Sequence, residues 1–458
     1  MRALMVSPFS ATTLGFERAI ARLAIAAVLL ATVTAPAWSR PAAGWPPNAS
    51  AANMIVVAVS DSPEPALGAG SSPRGYTNLS NYSGSDRALA TAGAVARDFD
   101  LREVSAWTIE PLRLRCMAFE IKPDVDRAEL LAQLQRDRRI RLAQPMHEFE
   151  TLTAAAQTTG RDPADSSVPY NDPYIGLQQN LSSIHAVRAQ QWTSGRDIEV
   201  AVIDTGLDAA HPDLLGRVKL QRDFIGHGSG SPATDRHGTQ VAGVIAAVAN
   251  NGVGIVGVAP QARISSYRAC WPTSENAPTA HCNSYTLALA MGEALQSQAR
   301  VINLSLGGPR DPLLEELVKL ALHRGIVVVG AVPQDGSTDS FPIGVPGVIA
   351  VGSTGDVANP ATILLAPGHD ILTLEPGGHF DYTSGSSLAA AHVSGAVALL
   401  LALNPRLETG VLAAILSRSQ SDAKSTIDTC KAVAELLAGK QVRAPKNATV
   451  HCDISDNG

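Results

Sequence analysis

The sequence predicts an α/β protein: a parallel sheet with helices on both faces, in three layers, preceded by a small α+β domain. Three observations carry this. Apolar, β-branched runs at residues 198–203, 301–306, 326–329 and 348–351 are bounded by polar residues, as suits parallel strands buried on both faces. Helix-like segments lie among and after them, at 239–249, 285–297, 312–323 and 388–403, and strand alternating with helix implies a parallel sheet covered on both sides. Ahead of all these, residues 54–59, 113–121 and 140–149 read as strands and 87–98 and 127–136 as helices, a mixture suited to a sandwich of about 100 residues.

Each part follows in chain order. Arg2, Arg18 and Arg22 precede an apolar stretch at 23–33 and the small-residue run Ala35-Pro36-Ala37, the pattern of a signal peptide over residues 1–39. The stretch is shorter than the roughly 20 residues that span a bilayer, so no stable membrane anchor is expected and the chain is expected to be secreted, extracellular or periplasmic. The small domain is expected over 40–150. It ends in a polar linker, 151–168, and a compact domain before an exposed linker is the layout of a removable segment. The main body is expected over 169–424, its last helix (388–403) apolar on every side and therefore crossing the core. A C-terminal extension, 425–458, follows.

Composition narrows the function classes. At 458 residues and 45% hydrophobic, the chain is too long for one average domain and too apolar for disorder. A net charge of −6 without a basic stripe argues against nucleic acid. The basic cluster Arg136-Asp137-Arg138-Arg139 is broken by an acid and reads as a solvated helix face. In an oxidising compartment the simplest pairing of the cysteines is Cys270–Cys282 and Cys430–Cys452, the second tying down the C-terminal extension. No C-x-x-C pair offers a zinc site, and Cys116, in an apolar run, reads as a buried free thiol.

Three segments carry chemistry. Ala201-Val202-Ile203-Asp204-Thr205-Gly206 places a carboxylate where a buried strand ends, the end at which α/β sheets build their sites. Alone, an Asp that starts a turn explains it as well. In Asp235-Arg236-His237-Gly238-Thr239, His237 opens a small-residue helix, where the helix dipole favours an uncharged ring able to accept a proton. The nearby His227-Gly228 sits in a Gly/Ser loop with no helix after it. In Thr383-Ser384-Gly385-Ser386-Ser387-Leu388, Ser387 begins the buried helix with its N–H free for a developing oxyanion, although an ordinary Ser cap has the same look.

The order Asp, His, Ser is that of subtilisin. The three segments closely resemble the active-site boxes of the subtilisin-like (subtilase) family, D-T-G, H-G-T and S-G-T-S, here Asp204-Thr205-Gly206, His237-Gly238-Thr239 and Ser384-Gly385-Ser386-Ser387. The resemblance extends through His211-Pro212-Asp213-Leu214, Asn303-Leu304-Ser305-Leu306-Gly307-Gly308 and the stretches 254–260 and 346–352. It implies a subtilisin-like fold and a secreted serine endopeptidase that forms an acyl-enzyme. Ser387 is then the nucleophile, His237 the general base and Asp204 the residue that orients the imidazole. Ser305, Leu306 and Gly307 resemble the strand that pairs with extended substrate, and Ser340 falls near the base of the pocket for the residue before the cut. The N-terminal domain resembles the family's inhibitory propeptide, acting in cis and removed by self-processing. Protein or peptide substrates, a monomer, and no cofactor for the chemistry are implied.

The pattern departs in one functional place. Where the family carries a Gly-Asn pair whose Asn completes the oxyanion hole, this chain has Pro333-Gln334. Proline fixes φ near −65°, so the loop cannot copy a glycine with positive φ. Either the loop is rebuilt so that Gln334 reaches the oxyanion, or the chain is a weak or self-processing-only peptide-binding protein. Ser386, Ala391 and Gln240, standing for the usual Thr, Pro and His, are milder changes. The segment 249–255 resembles the family's calcium loop, with Asp213 and Asn251 as oxygen ligands for a structural calcium, although calcium takes about six to eight oxygens and a helix end closed by Asn and Gly accounts for the segment equally. An esterase of the G-x-S-x-G type is not indicated, since neither that motif nor its residue order is present.

Overall fold

The computed structural model describes residues 50–61, 85–153, 169–226, 231–272, 277, 279–356, 362–422, 425–439 and 452. The expected signal peptide, the pair His227-Gly228, residues 154–168 of the linker and all of 440–458 except Cys452 lie outside them.

The first part of the chain contains β1 (Met54–Ser60), α1 (Asp86–Asp98), β2 (Arg102–Ile109), β3 (Leu114–Glu120), α2 (Arg127–Arg136) and β4 (Ile140–Pro145). Ser85 Oγ caps α1 by accepting from Ala88 N (3.2 Å), and Asp126 caps α2 by accepting from Ala128 N (2.8 Å). The four strands form one antiparallel sheet in the order β2-β3-β1-β4. Side chains alternate across it. Ile55, Val57, Val59, Met117 and Phe119 pack with Ala88, Ala92, Val95, Leu130 and Leu134 of the domain's own helices. Val56, Ala58, Cys116, Ala118 and Trp107 face the other way. β2 is not apparent from the sequence because only Trp107 and Ile109 of it are buried; Trp107 pins it, edge-on to Tyr285 at 4.7 Å between ring centroids.

After β5 (Glu148–Thr151) come β6 (Glu199–Asp204), β7 (Val218–Asp223), α3 (Arg236–Ala246), β8 (Arg263–Arg268), β9 (Cys270–Pro272), β10 (Ala280–Asn283), α4 (Ser284–Ala294), β11 (Val301–Leu304) and β12 (Leu306–Gly307). Then follow α5 (Pro312–His323), β13 (Val327–Ala331), β14 (Ile349–Ser353), β15 (Leu364–Ala366), β16 (Ile371–Glu375), β17 (His379–Thr383), α6 (Ser386–Leu403), α7 (Thr409–Ser419) and α8 (Thr429–Ala438). Seven of these strands make an all-parallel sheet in the order β15-β14-β13-β11-β6-β8-β7. Val200 and Val202 point to a core built with α3 and α6; Ala201 and Ile203 point to one built with α4 and α5. This is the expected three-layer arrangement. α6 is buried along Ser386–Leu401, so an apolar surface on every side is what its position requires.

The second face of the antiparallel sheet lies in the same core as α4 and α5. Gln144 strengthens that contact: its Oε1 accepts from Leu313 N (3.0 Å) and its Nε2 donates to Asp311 (2.7 Å), the cap of α5. Both expected disulfides are present, Cys270–Cys282 and Cys430–Cys452, and Cys116 is free and buried.

Candidate active site

β6 delivers Asp204 to the carboxyl end of the central sheet, and α3 begins one residue before His237. Asp204 Oδ1 lies 2.6 Å from His237 Nδ1. A carboxylate only accepts, so Nδ1 is the donor in this bond. Oδ1 also accepts from Thr205 N (2.7 Å), and Thr205 Oγ1 accepts from Gly238 N (3.1 Å), so the two motif loops are bonded to each other. Among the described residues, His237 Nε2 and Ser387 Oγ are buried without a hydrogen-bond partner. A ring nitrogen and a hydroxyl are groups chemically able to exchange a proton.

Ser387 stands in the first turn of α6, where backbone N–H groups have no partner in the helix. Its N–H donates to the carbonyl of Leu152 at 3.3 Å. Gly385, at φ 149°, leaves the room for this: a Cβ there would collide with Leu152 O and Thr153 Cα. Ser305 Oγ donates to Ser387 O (2.9 Å) and accepts from Asn303 Nδ2 (2.9 Å), and Asn303 Oδ1 accepts from Ser394 Oγ (2.8 Å). This buried chain locks the helix start to the strand 305–307.

That strand is paired. β5 runs antiparallel between β12 and β10, with Thr151 opposite Leu306, Glu150 opposite Gly307 and His281, and Phe149 opposite Cys282. Leu152 N donates to Ser305 O at 3.2 Å. The segment expected as one strand over 140–149 therefore changes sheets: β4 belongs to the N-terminal domain and β5 to the cleft.

The other anticipated residues fall differently. Gln334 is exposed, and among the described residues its side chain forms no hydrogen bond, so the structure does not join it to the Leu152 carbonyl. Ser340 bonds within its own loop, donating to Ser337 O (3.5 Å) and accepting from Gly344 N (2.7 Å). Asp213 and Asn251 do come together, but Asn251 Nδ2 donates to Asp213 Oδ1 (2.8 Å) and Ile255 N to Oδ2 (2.8 Å). Asn251 Oδ1 accepts from Val253 N (2.8 Å). Burial raises the Asp213 carboxyl to about 6, against the two N–H groups that hold it down. With these oxygens turned to N–H donors, the pair as arranged does not fit calcium's oxygen set.

Sequence reasoning passed over Arg268. It is buried at the end of β8, donating through Nε to Thr205 O (3.0 Å) and Asp235 Oδ2 (2.6 Å). It thus ties the Asp204 loop to the residue that precedes the His237 helix. Burial pushes the Asp235 carboxyl up, to about 7, while the Arg268 guanidinium pulls it down. The available signal was a charged residue closing a strand-length run, but 263–268 holds too many polar residues to stand out. Gln240 is likewise structural: with Arg236 it binds the buried Glu375, fastening α3 to β16 (2.5 and 2.7 Å).

Residues 195–432 match the model of the subtilase family. The chain is 38% identical over 245 residues to a thermophilic serine proteinase of Bacillus sp. (strain AK1), covering 51% of this chain and 59% of that protein. It is 36% identical to thermitase of Thermoactinomyces vulgaris over 54% of this chain and 89% of thermitase. Fervidolysin from Fervidobacterium pennivorans, a keratinolytic enzyme related to subtilisin, superimposes with a TM-score of 0.65 at 22% identity, over 83% of this chain and 60% of fervidolysin, a likeness of fold. With a family match across half its length and relatives at these identities, the chain belongs to the subtilases, the subtilisin-like serine proteases.

Proposed function

We propose that this chain is an exported serine endopeptidase, made as a zymogen whose N-terminal domain is a pro-domain held in cis and released by self-processing in the 151–168 linker. One observation carries the reading: Asp204 is bonded to His237, and the N–H of the helix-start Ser387 already holds a peptide carbonyl. Ser387 Oγ attacks such a carbonyl while His237 Nε2 takes its proton, and Asp204 steadies the imidazolium without accepting the proton. The Ser387 N–H receives the oxyanion. His237 then protonates the leaving amine, and water repeats the sequence on the acyl ester. No cofactor enters.

The test is a fluorophosphonate probe and intact mass on the exported chain beside Ser387→Ala. Labelling at Ser387 with loss of the N-terminal domain, both absent in the variant, supports the reading. A folded wild type that stays whole and unlabelled replaces it with the peptide-binding alternative.

A further inference from the structure

We propose that Leu152–Thr153 is the bond this chain cuts in itself, and that the cystine-tied hairpin β9–β10 holds in register the segment that presents it. This rests on the endopeptidase reading above.

The argument is one of register. Five successive residues, 148 to 152, are held, Glu150 and Thr151 from both sides. On the β12 side, Leu152 N donates to Ser305 O, Thr151 faces Leu306 and Glu150 faces Gly307. On the β10 side, Glu150 faces His281, Phe149 faces Cys282 and Glu148 faces Asn283, while Thr151 Oγ1 accepts from Ala280 N (2.9 Å). Phe149 is buried, edge-on to Phe341 at 5.5 Å between centroids, and a Cβ on Gly308 would strike its ring. A slip of one residue along this ladder turns every side chain to the opposite face. It would drive the carboxylate of Glu148 or Glu150 into the aromatic pocket, at the cost of burying an unpaired charge. With Phe149 seated, the carbonyl that reaches Ser387 N is that of Leu152.

The hairpin supplies the second wall. Cys282 lies directly opposite Cys270 across β9 and β10, and the disulfide joins them there. β10 runs straight into α4, whose first turn Asn283 caps by accepting from Thr286 N (3.0 Å), with a reciprocal bond from Asn283 N to Thr286 Oγ1 (3.4 Å). The disulfide and the α4 cap thus sit side by side at the base of the hairpin and anchor it to the core. The same geometry states what the cleft takes from other chains: an extended peptide with an aromatic residue three positions before a leucine, cut after the leucine.

In the step itself, Ser387 Oγ bonds to the Leu152 carbonyl carbon and the Leu152–Thr153 C–N bond breaks. The serine proton passes through His237 to the Thr153 nitrogen. Water then cleaves the ester, leaving a Leu152 carboxylate and free Ser387.

The experiment is mass spectrometry of both fragments from the full exported chain, with Ser387→Ala as the uncut control. The expected result is an N-terminal fragment ending at Leu152 and a catalytic chain beginning at Thr153 or trimmed from it. An N-terminal fragment ending within 154–168, in protein that labels with the fluorophosphonate, overturns the bond assignment. Absence of labelling overturns the endopeptidase reading instead. On synthetic peptides, Phe-Glu-Thr-Leu-Thr is expected to be cut at least about tenfold faster than Phe-Glu-Leu-Thr-Thr, the scale of one misplaced buried contact; equal rates overturn the register. The double variant Cys270→Ser with Cys282→Ser is expected to slow self-cleavage about tenfold or give mixed ends in protein that still melts cooperatively. A single end at Leu152 formed at the wild-type rate removes the hairpin from the assignment.

Discussion

The two main sheets of the molecule bury themselves in different ways. The seven-stranded parallel sheet is covered on both faces by helices of its own region: α3 and α6 on one side, α4 and α5 on the other. The four-stranded antiparallel sheet covers one face with α1 and α2, and its other face meets α4 and α5. The parallel sheet therefore completes its layers locally, and the N-terminal domain completes its second core only by docking. A domain built this way takes part of its burial from its partner, in keeping with the pro-domain proposed above.

The largest effect expected keeps the two regions joined. Ser387→Ala should lower peptide hydrolysis by about 10⁴–10⁶-fold and leave the chain whole, read by turnover and intact mass. In that uncut background the asymmetry can be broken from one side. Trp107→Ala removes a buried aromatic contact with Tyr285 and should weaken docking by about 3–5 kcal/mol. Calorimetry is expected to show the N-terminal transition moving down while that of the parallel sheet stays. A common shift of both transitions would mean one cooperative core.

A somewhat smaller effect belongs to the parallel-sheet region alone. Burial lowers His392 to about 4; its Nδ1 donates to Leu388 O (2.7 Å), so its Nε2 accepts from Asn180 Nδ2 (2.7 Å) and the neutral ring is satisfied. The folded pKa lies below the unfolded value near 6.5, so this contribution is complete above about pH 6.5 and is lost as pH falls through about 4. It amounts to about 3 kcal/mol. Stability measured against pH should flatten over that window in His392→Gln. Gln334→Ala should change turnover by less than about threefold, because the side chain is exposed; a loss of 10²–10³ would return it to the oxyanion site. Smallest of all, a calcium chelator should leave the melting temperature unmoved, since Asp213 and Asn251 already satisfy one another.

Much of this was legible in the chain, and the limits have physical causes. Asp204, His237 and Ser387 each sit at an element boundary with a local signature, a buried strand's end or a helix's start. Contiguous residues decide such boundaries, and short-range chemistry writes them plainly. The strands β6, β11, β13 and β14 were visible because a strand buried on both faces must be apolar throughout. β2 and β8 were not, because only Trp107 and Ile109 of the one are buried and the other hides serines, whose partners, such as Glu199 for Ser265 (2.6 Å), are distant in sequence. The same holds for Arg268, whose value lies in loops 33 and 63 residues away. The run 140–149 had the composition of one strand, yet its two halves pair in different sheets. Composition determined that those residues extend. Only the tertiary structure decided which edge each half joins, because strand pairing is set by the neighbour that offers open hydrogen bonds, and that neighbour lies far along the chain.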